Sequence, residues 1–287
     1  MATTRSSDVD EQAEAAMTEP AMAESEEASS GKHRDFVQSL ERGLAIIRVF
    51  DADRPRLTVS EIAHLAGLTR AAVRRFLFTL TELGYVQTHR DGYQLTPQVL
   101  ELGYSYLSSL TFPDAALPHL ERLVAETGEA SEGSVLDRGD VVYVVRVPGP
   151  ALMTISVSIG ARRPAYATSM GRVLLANLPP AQLDAYLENT HLDPILPNTI
   201  TDVTALREEL SKVRQQGYAL VDQELEIGLV AIAVPVRDRH GRTRAAVNLS
   251  THIGRRSAAD MVALAPRVQQ AAADIELGMR HSVSWSD

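Results

Sequence analysis

Thr58-Val59-Ser60-Glu61-Ile62-Ala63-His64-Leu65-Ala66-Gly67-Leu68-Thr69-Arg70-Ala71-Ala72-Val73-Arg74-Arg75 is the stretch on which the reading of this chain turns. Thr58 and Glu61 have capping-box spacing, in which the hydroxyl accepts from first-turn amides and the carboxylate reaches back to the cap. Ile62, Ala63, Leu65 and Ala66 supply the apolar side of a short helix. Gly67 stops it, because glycine enters the left-handed cap conformation at no steric cost. Leu68 fills the turn, and Thr69 caps a further helix running to about Leu83. There Val73, Phe76, Leu77, Leu80 and Leu83 gather on one side. Arg70, Ala71, Arg74 and Arg75 fall largely on the other, near the N-terminus.

The flanks complete a pattern. Upstream, Val37, Leu40, Leu44 and Ile47 mark one face of a helix ending near Phe50. Downstream, Tyr85–Thr88 and Tyr93–Thr96 read as two strands around an Asp91-Gly92 turn, with Arg90 at the tip. Helix, tight turn, helix and hairpin is the plan of a winged helix-turn-helix. In that plan helix ends contact phosphates, and side chains at the start of the second motif helix reach base edges in the major groove. Thr69, Arg70, Ala71, Arg74 and Arg75 are therefore candidate DNA contacts, and Arg90 is placed for a phosphate or the minor groove. A solvated arginine face on a protein-interaction module is the plainer reading. The ordered run of cap, glycine turn, arginine face and hairpin favours DNA.

Composition bounds the rest. The chain has 287 residues, 45% hydrophobic and 23% charged, with no cysteine. That length predicts about two domains, and the missing cysteines exclude disulfides, thiolate catalysis and cysteine-ligated metals. The longest nearly unbroken apolar run, Leu229 to Val236, is far too short to span a bilayer. No secretory signal opens the sequence. A cytoplasmic chain without a membrane partner is expected. The net charge is −9, but residues 34–97 carry nine arginines against seven acids, and every base there is Arg. Arg suits planar, bidentate contacts to phosphate and guanine.

Four regions follow: an acidic, disordered tail over 1–33, the winged helix-turn-helix over 34–96, a linker helix over 97–112, and a mixed α/β domain over 113–287. Thr96-Pro97 opens the linker helix, whose stripe of Val99, Leu102, Tyr106 and Leu110 calls for a packing partner such as a second copy. Beyond it, helices are expected at 114–127, 180–188 and 203–216, and an amphipathic one at 257–280. Strands are expected at 130–137, 141–147, 154–158, 218–222, 229–236 and 244–250. A loop spans Gly160 to Thr168, and Ser169 opens a helix.

Nothing reads as a catalytic constellation. The eight histidines are scattered without metal-ligand spacing, and Ser169 lacks the glycine flanks of a nucleophile elbow. Arg138-Gly139-Asp140 is a hairpin turn. No catalytic residue, metal or cofactor is expected. An anion site is: Arg162 and Arg163 precede a helix beginning at Ser169-Met170-Gly171, whose free amides and positive dipole would hold a carboxylate. Surface arginines beside a capped helix are the plainer alternative. Asn248 and Ser250 alternate with Val247 and Leu249 on one strand and so share a face.

The chain resembles the IclR family of bacterial transcription regulators over roughly 35–280. The resemblance rests on Gln38-Ser39-Leu40-Glu41-Arg42-Gly43-Leu44, Leu57 to Leu68, Thr69 to Arg75, Leu83-Gly84-Tyr85-Val86 and Gly160 to Ala176. The last stretch, with His191-Leu192-Asp193-Pro194, is similar to regulators of protocatechuate and β-ketoadipate catabolism. The resemblance implies an α+β chain: an N-terminal winged helix-turn-helix that dimerises, a linker helix, and a C-terminal GAF-like α/β effector-binding domain. It implies a homodimer or tetramer on a pseudopalindromic operator in double-stranded DNA, and a small organic acid as effector. The family's effector cleft carries over onto Gly160, Ala161, Asn248 and Ser250. Ala231 stands where some relatives have a hydrogen-bonding residue, which argues against their short keto acids. The competing readings are an enzyme acting on a small acid with the winged helix as tether, and a ligand-independent repressor.

Overall fold

The structure, a computed structural model, describes residues 36–107, 110–150 and 157–279. The tail expected to be disordered and residues 154–156 of an expected strand lie outside them. Val157 and Ser158, the rest of that strand, have no regular structure. Contacts divide the chain into two compact units, one ending at Glu101 and the other beginning at Leu102.

In the first unit, α1 (Gln38–Ile47), α2 (Val59–Ala66) and α3 (Arg70–Glu82) precede the hairpin β1 (Val86–His89) and β2 (Gly92–Leu95). The capping box forms as read: the Thr58 hydroxyl accepts from the Glu61 amide, and the Glu61 carboxylate accepts from the Thr58 amide. Gly67 closes α2 at φ 66°. Ile46, Leu57, Ile62, Val73, Leu77 and Val86 make the core. One expectation is corrected: the Val37, Leu40 and Leu44 face of α1 is exposed, and Ile46 is the residue α1 buries. Leu83 is likewise exposed, because α3 has ended and its chain turns outward. The sequence also gave no sign that Leu57 bridges Tyr93, adding a third edge to the wing.

The linker helix is shorter than expected. It spans α4 (Val99–Leu107), none of whose side chains is buried, while Leu110 is the N-cap of α5 (Thr111–Thr127). Pro97 and Gln98 form a turn ahead of α4.

The second unit is built on an antiparallel six-stranded sheet. Its strands are β3 (Ser131–Asp137), β4 (Asp140–Val147), β5 (Arg162–Pro164), β6 (Ala219–Asp222), β7 (Leu229–Arg237) and β8 (Thr243–His252), in the spatial order β5-β4-β3-β8-β7-β6. Two cores flank it. On one face, Phe112, Leu120 and Leu123 of α5 pack against Val230, Ile232, Val247 and the closing helices. On the other, α6 (Ser169–Ala176), α7 (Pro180–Asn189) and α8 (Val203–Gln216) cover Val141, Tyr143, Ala233 and Ala246.

Three local readings change here. The expected loop from Gly160 holds β5 and one 3-10 turn, Ala165–Ala167, because Arg162 and Arg163 pair with Val142 and Val141. Ser169 opens α6 as expected, but the cap that sets it is Thr168, whose extended backbone lets the hydroxyl accept from the Gly171 amide at 3.1 Å. The closing helix is two, α9 (Ala258–Ala263) and α10 (Ala265–Met279), since Pro266 brings no N–H to continue the ladder.

Candidate functional site

Two surfaces carry the chemistry, one in each unit. In the first, the Thr69 hydroxyl accepts from the Ala72 amide at 3.2 Å and fixes the start of α3. Thr69, Arg70, Ala71, Arg74 and Arg75 are all exposed there, with Val73 and Leu77 anchoring the opposite side. Arg90 is exposed at the hairpin tip. The wing adds a feature with no sequence signal: Arg56 donates to Gln94 at 3.2 Å and approaches Asp91 at 3.5 Å.

In the second unit a cavity opens between α6 and the sheet, bringing together Ser169 and Met170 from α6 and Asn248 and Ser250 from β8. Its apolar walls include Met170, Val221, Leu225, Leu229 and Ala231. At one end lies the N-terminus of α6. Thr168 serves the Gly171 amide, while the Ser169 and Met170 amides have no hydrogen-bond partner among the described residues. Such orphan first-turn amides and the helix dipole favour an anion.

The sheet side of the cavity is more polar than the sequence suggested. Glu132 and Tyr143 line it, and neither was among the expected site residues. The Glu132 carboxylate accepts from the Ser250 hydroxyl at 3.1 Å, and the Glu132 amide donates to the Asn248 side chain at 2.7 Å. Arg146 stands 3.9 Å from Glu132. Burial pushes the Glu132 carboxyl above its ordinary range, against the opposing pull of Asn248, Ser250 and Arg146. Burial first, then the Glu132 charge, also raises the Tyr143 phenol.

A bulge makes this grouping. The β3–β4 register shifts between Gly133, opposite Val145, and Ser134, opposite Tyr143. Val144 is the extra residue, so Val144 and Val145 both enter the core on the α5 side. Strict alternation would put Tyr143 and Arg146 on opposite faces. With the bulge both meet Glu132, Tyr143 as a fellow lining residue and Arg146 as its cross-strand partner.

The remaining expected effector residues sit elsewhere. Arg162 is engaged outside the cavity, donating to Asp137 at 2.7 Å and Asp140 at 3.1 Å. Arg163 donates to the Arg162 carbonyl. Gly160 and Ala161 pair through their backbones with Tyr143 and do not line the cavity. Arg162 and Arg163 read as loop charges ahead of a helix start; Asp137 and Asp140 become neighbours of Arg162 only when the β3–β4 hairpin closes beside β5.

An arginine-faced helix-turn-helix with a wing, joined in one chain to an α/β unit holding a mixed polar and apolar cavity, is the make-up of a ligand-responsive, DNA-binding regulator. Comparison with known proteins gives the family. Residues 39–90 match the IclR helix-turn-helix domain, and residues 104–277 match the C-terminal domain of bacterial IclR transcriptional regulators. The chain belongs to the IclR family of DNA-binding transcriptional regulators, whose effector domains share this curled antiparallel sheet.

Among its relatives is the Pca regulon regulatory protein of Pseudomonas putida, 43% identical over 77% of this chain and 76% of that protein. The p-hydroxybenzoate hydroxylase transcriptional activator of Acinetobacter baylyi is 40% identical over 77% of this chain and 83% of its own length. An IclR homolog from Microbacterium hydrocarbonoxydans, solved with 4-hydroxybenzoate, is 27% identical with a TM-score of 0.75, covering 85% of this chain and all of that one. No helix among the described residues is long and apolar enough to cross a membrane.

Proposed function

We propose that this regulator controls genes of aromatic-acid catabolism in the protocatechuate/β-ketoadipate group and takes a small organic acid from that chemistry as its signal. Residues 34–96 read DNA, 97–112 link, and 113–287 sense. Arg70 and Arg74, one turn apart on an exposed face, reach base edges with Thr69 and Ala71 beside them, while Arg75 and Arg90 hold phosphates. The chain acts as a homodimer or higher oligomer on a pseudopalindromic operator. The exposed apolar residues of α1 and α4 support such self-association.

The observation that carries the effector reading is the cavity itself: buried, walled by aliphatic side chains, with unpartnered helix amides at one end. A carboxylate would sit at Ser169 and Met170, and the body of the acid would lie between the apolar walls toward Asn248 and Ser250. Arg162 and Arg163 would act at longer range, and Gly160 and Ala161 would shape the adjoining sheet edge. The signal changes DNA affinity only if it binds the two functional states unequally.

Operator binding tests both halves. A labelled promoter fragment should be bound selectively by the wild type and lose selectivity with Arg70→Ala/Arg74→Ala, each bidentate arginine contributing about 1–3 kcal/mol. An aromatic acid that raises the melting temperature should also alter operator affinity. Acids that bind without changing operator affinity would refute the coupling.

A further inference from the structure

Resting on the reading of α3 as the helix that meets DNA, we propose that the acidic segment ahead of α1 docks in a groove between α1 and α3 and must leave it before a duplex can bind. Gln38 and Arg42 of α1 and Arg74, Arg75, Phe76 and Phe78 of α3 line this groove. Arg74 and Arg75 are exposed and Arg42 is half-buried, and no carboxylate among the described residues pairs with any of the three. Phe78 is 69% exposed. The groove thus sets three guanidinium groups beside an uncovered ring. A phosphate would serve the arginines and leave Phe78 in water, whereas an acidic peptide with apolar residues serves both.

Such a peptide is joined to the rim of the groove. Residues 1–33 hold eight acids and two bases, and the acids nearest the fold, Glu24, Glu26 and Glu27, follow Ala21-Met22-Ala23. Eight residues separate Glu27 from Phe36, a reach of about 30 Å when extended. Gln38, at the groove itself, comes two residues later. The carboxylates would pair with the arginines, and Met22 would cover Phe78, thioether against ring. Attachment makes even a weak contact effective, since a short tether holds its ligand at a concentration of order millimolar. A second copy fits less well: by helical spacing the groove lies on the side of α1 opposite Val37, Leu40 and Leu44, the stripe that supports self-association. Because Arg74 and Arg75 belong to both surfaces, segment and duplex exclude each other.

Two measurements on the full chain test the docking. The sequence has no cysteine, so Ser25→Cys and Thr79→Cys place spin labels on the segment and in the groove, and dipolar coupling reads their separation. A short, narrow distance distribution is expected, kept on dilution with unlabelled chain and broadened by Phe78→Ser. Changing the eight acids between Asp8 and Glu27 to their amides should tighten binding to a random duplex at least about threefold in low salt, the gap narrowing as salt loosens the segment. Phe78→Ser, a change at an exposed side chain, should give a similar rise, and the combined variant no further one. Additive rises or a broad distribution mean charge repulsion without docking and overturn the proposal. So does a short distance lost on dilution, which gives the segment to a neighbouring copy, or a lower oligomeric state in Phe78→Ser, which gives the groove to one. If no variant binds a duplex, the DNA reading fails and the distance alone decides the docking.

Discussion

Arg172 of α6 and Glu224 of the β6–β7 loop form a bidentate ion pair sealed from solvent, with Arg172 Nη1 donating to Glu224 Oε1 at 2.7 Å. The guanidinium also donates to the Tyr166 carbonyl at 2.9 Å, and the Glu224 carbonyl accepts from the Thr199 hydroxyl at 2.6 Å. Glu224 immediately precedes Leu225, a wall of the cavity, so the pair fixes α6 and the facing loop together. Removing one partner strands a buried charge, which costs about 3–5 kcal/mol. Arg172→Met should lower unfolding stability by that order. Arg172→Met with Glu224→Leu should recover most of the loss, because no orphan charge remains. Denaturant unfolding of the single and double variants measures the difference.

Gly171 sets how closely α6 approaches the 3-10 turn before it. A Cβ there would stand 2.2 Å from the Ala165 carbonyl oxygen and 2.4 Å from the Ala165 Cα, both backbone atoms that cannot rotate away. Gly171→Ala should destabilise the second unit by at least about 1–3 kcal/mol, as overpacking does. It should also weaken acid binding by displacing the Ser169 and Met170 amides. A melting curve and an acid titration report the two effects separately.

Asp238 supplies a pH dependence. Burial opposes its ionisation, but the Arg242 and His240 amides and the Arg244 and Arg242 guanidinium groups outweigh that and hold the carboxyl well below the usual carboxylate range. A depressed folded-state value stabilises the fold above the unfolded value, near 3.9, and that gain fades as pH falls through the folded one. Asp238→Asn should therefore cost about 1–3 kcal/mol at neutral pH, with the gap to wild type closing in strong acid. Unfolding measured across pH tests the sign.

The two threonine caps of the DNA-reading unit separate stability from recognition. Thr58→Ala removes one half of a capping box and should cost about 1 kcal/mol without touching the exposed face of α3. Thr69→Ala should cost a similar amount and additionally weaken operator binding, because it frays the turn that carries Arg70. Equal operator affinity of the two variants at matched folded fraction would show that Thr69 is a cap alone.

Arg90→Ala should weaken binding to specific and random duplexes alike and lower the salt dependence by about one counterion, the mark of a lost phosphate contact. A change confined to one operator position would instead assign Arg90 to a base.

The winged helix was legible because its signals are local. A capping box, a glycine stop and an arginine face each need only neighbours along one helix, and all three recur in the structure at Thr58, Gly67 and α3. Much of the strand and helix order of the second unit was legible for the same reason, from alternation and caps, but not β5, which lies inside the stretch read as a loop, nor the break between α9 and α10. The cavity was readable only in half. Asn248 and Ser250 share a face by simple alternation, and Ser169 and Met170 follow a detectable helix start. Glu132 was missed because its neighbours, Tyr143 and Arg146, come from another strand through an irregular register. Arg172 was hidden for a different reason. A charge in the middle of an apolar helix says nothing of its partner 52 residues away.

The bulge at Val144 carries a consequence for how such a sensor changes its taste. Were β4 to pair without the bulge while keeping Val144 in its alternation, every side chain beyond it would turn over, carrying Arg146 to the α5 layer and away from Glu132. Chemical preference in this architecture is thus written in the phase of a strand as much as in its letters. A register shift that irons out the bulge would rewire recognition without exchanging any of the residues that perform it, whereas deletion of Val144 would leave Tyr143 and Arg146 on one face.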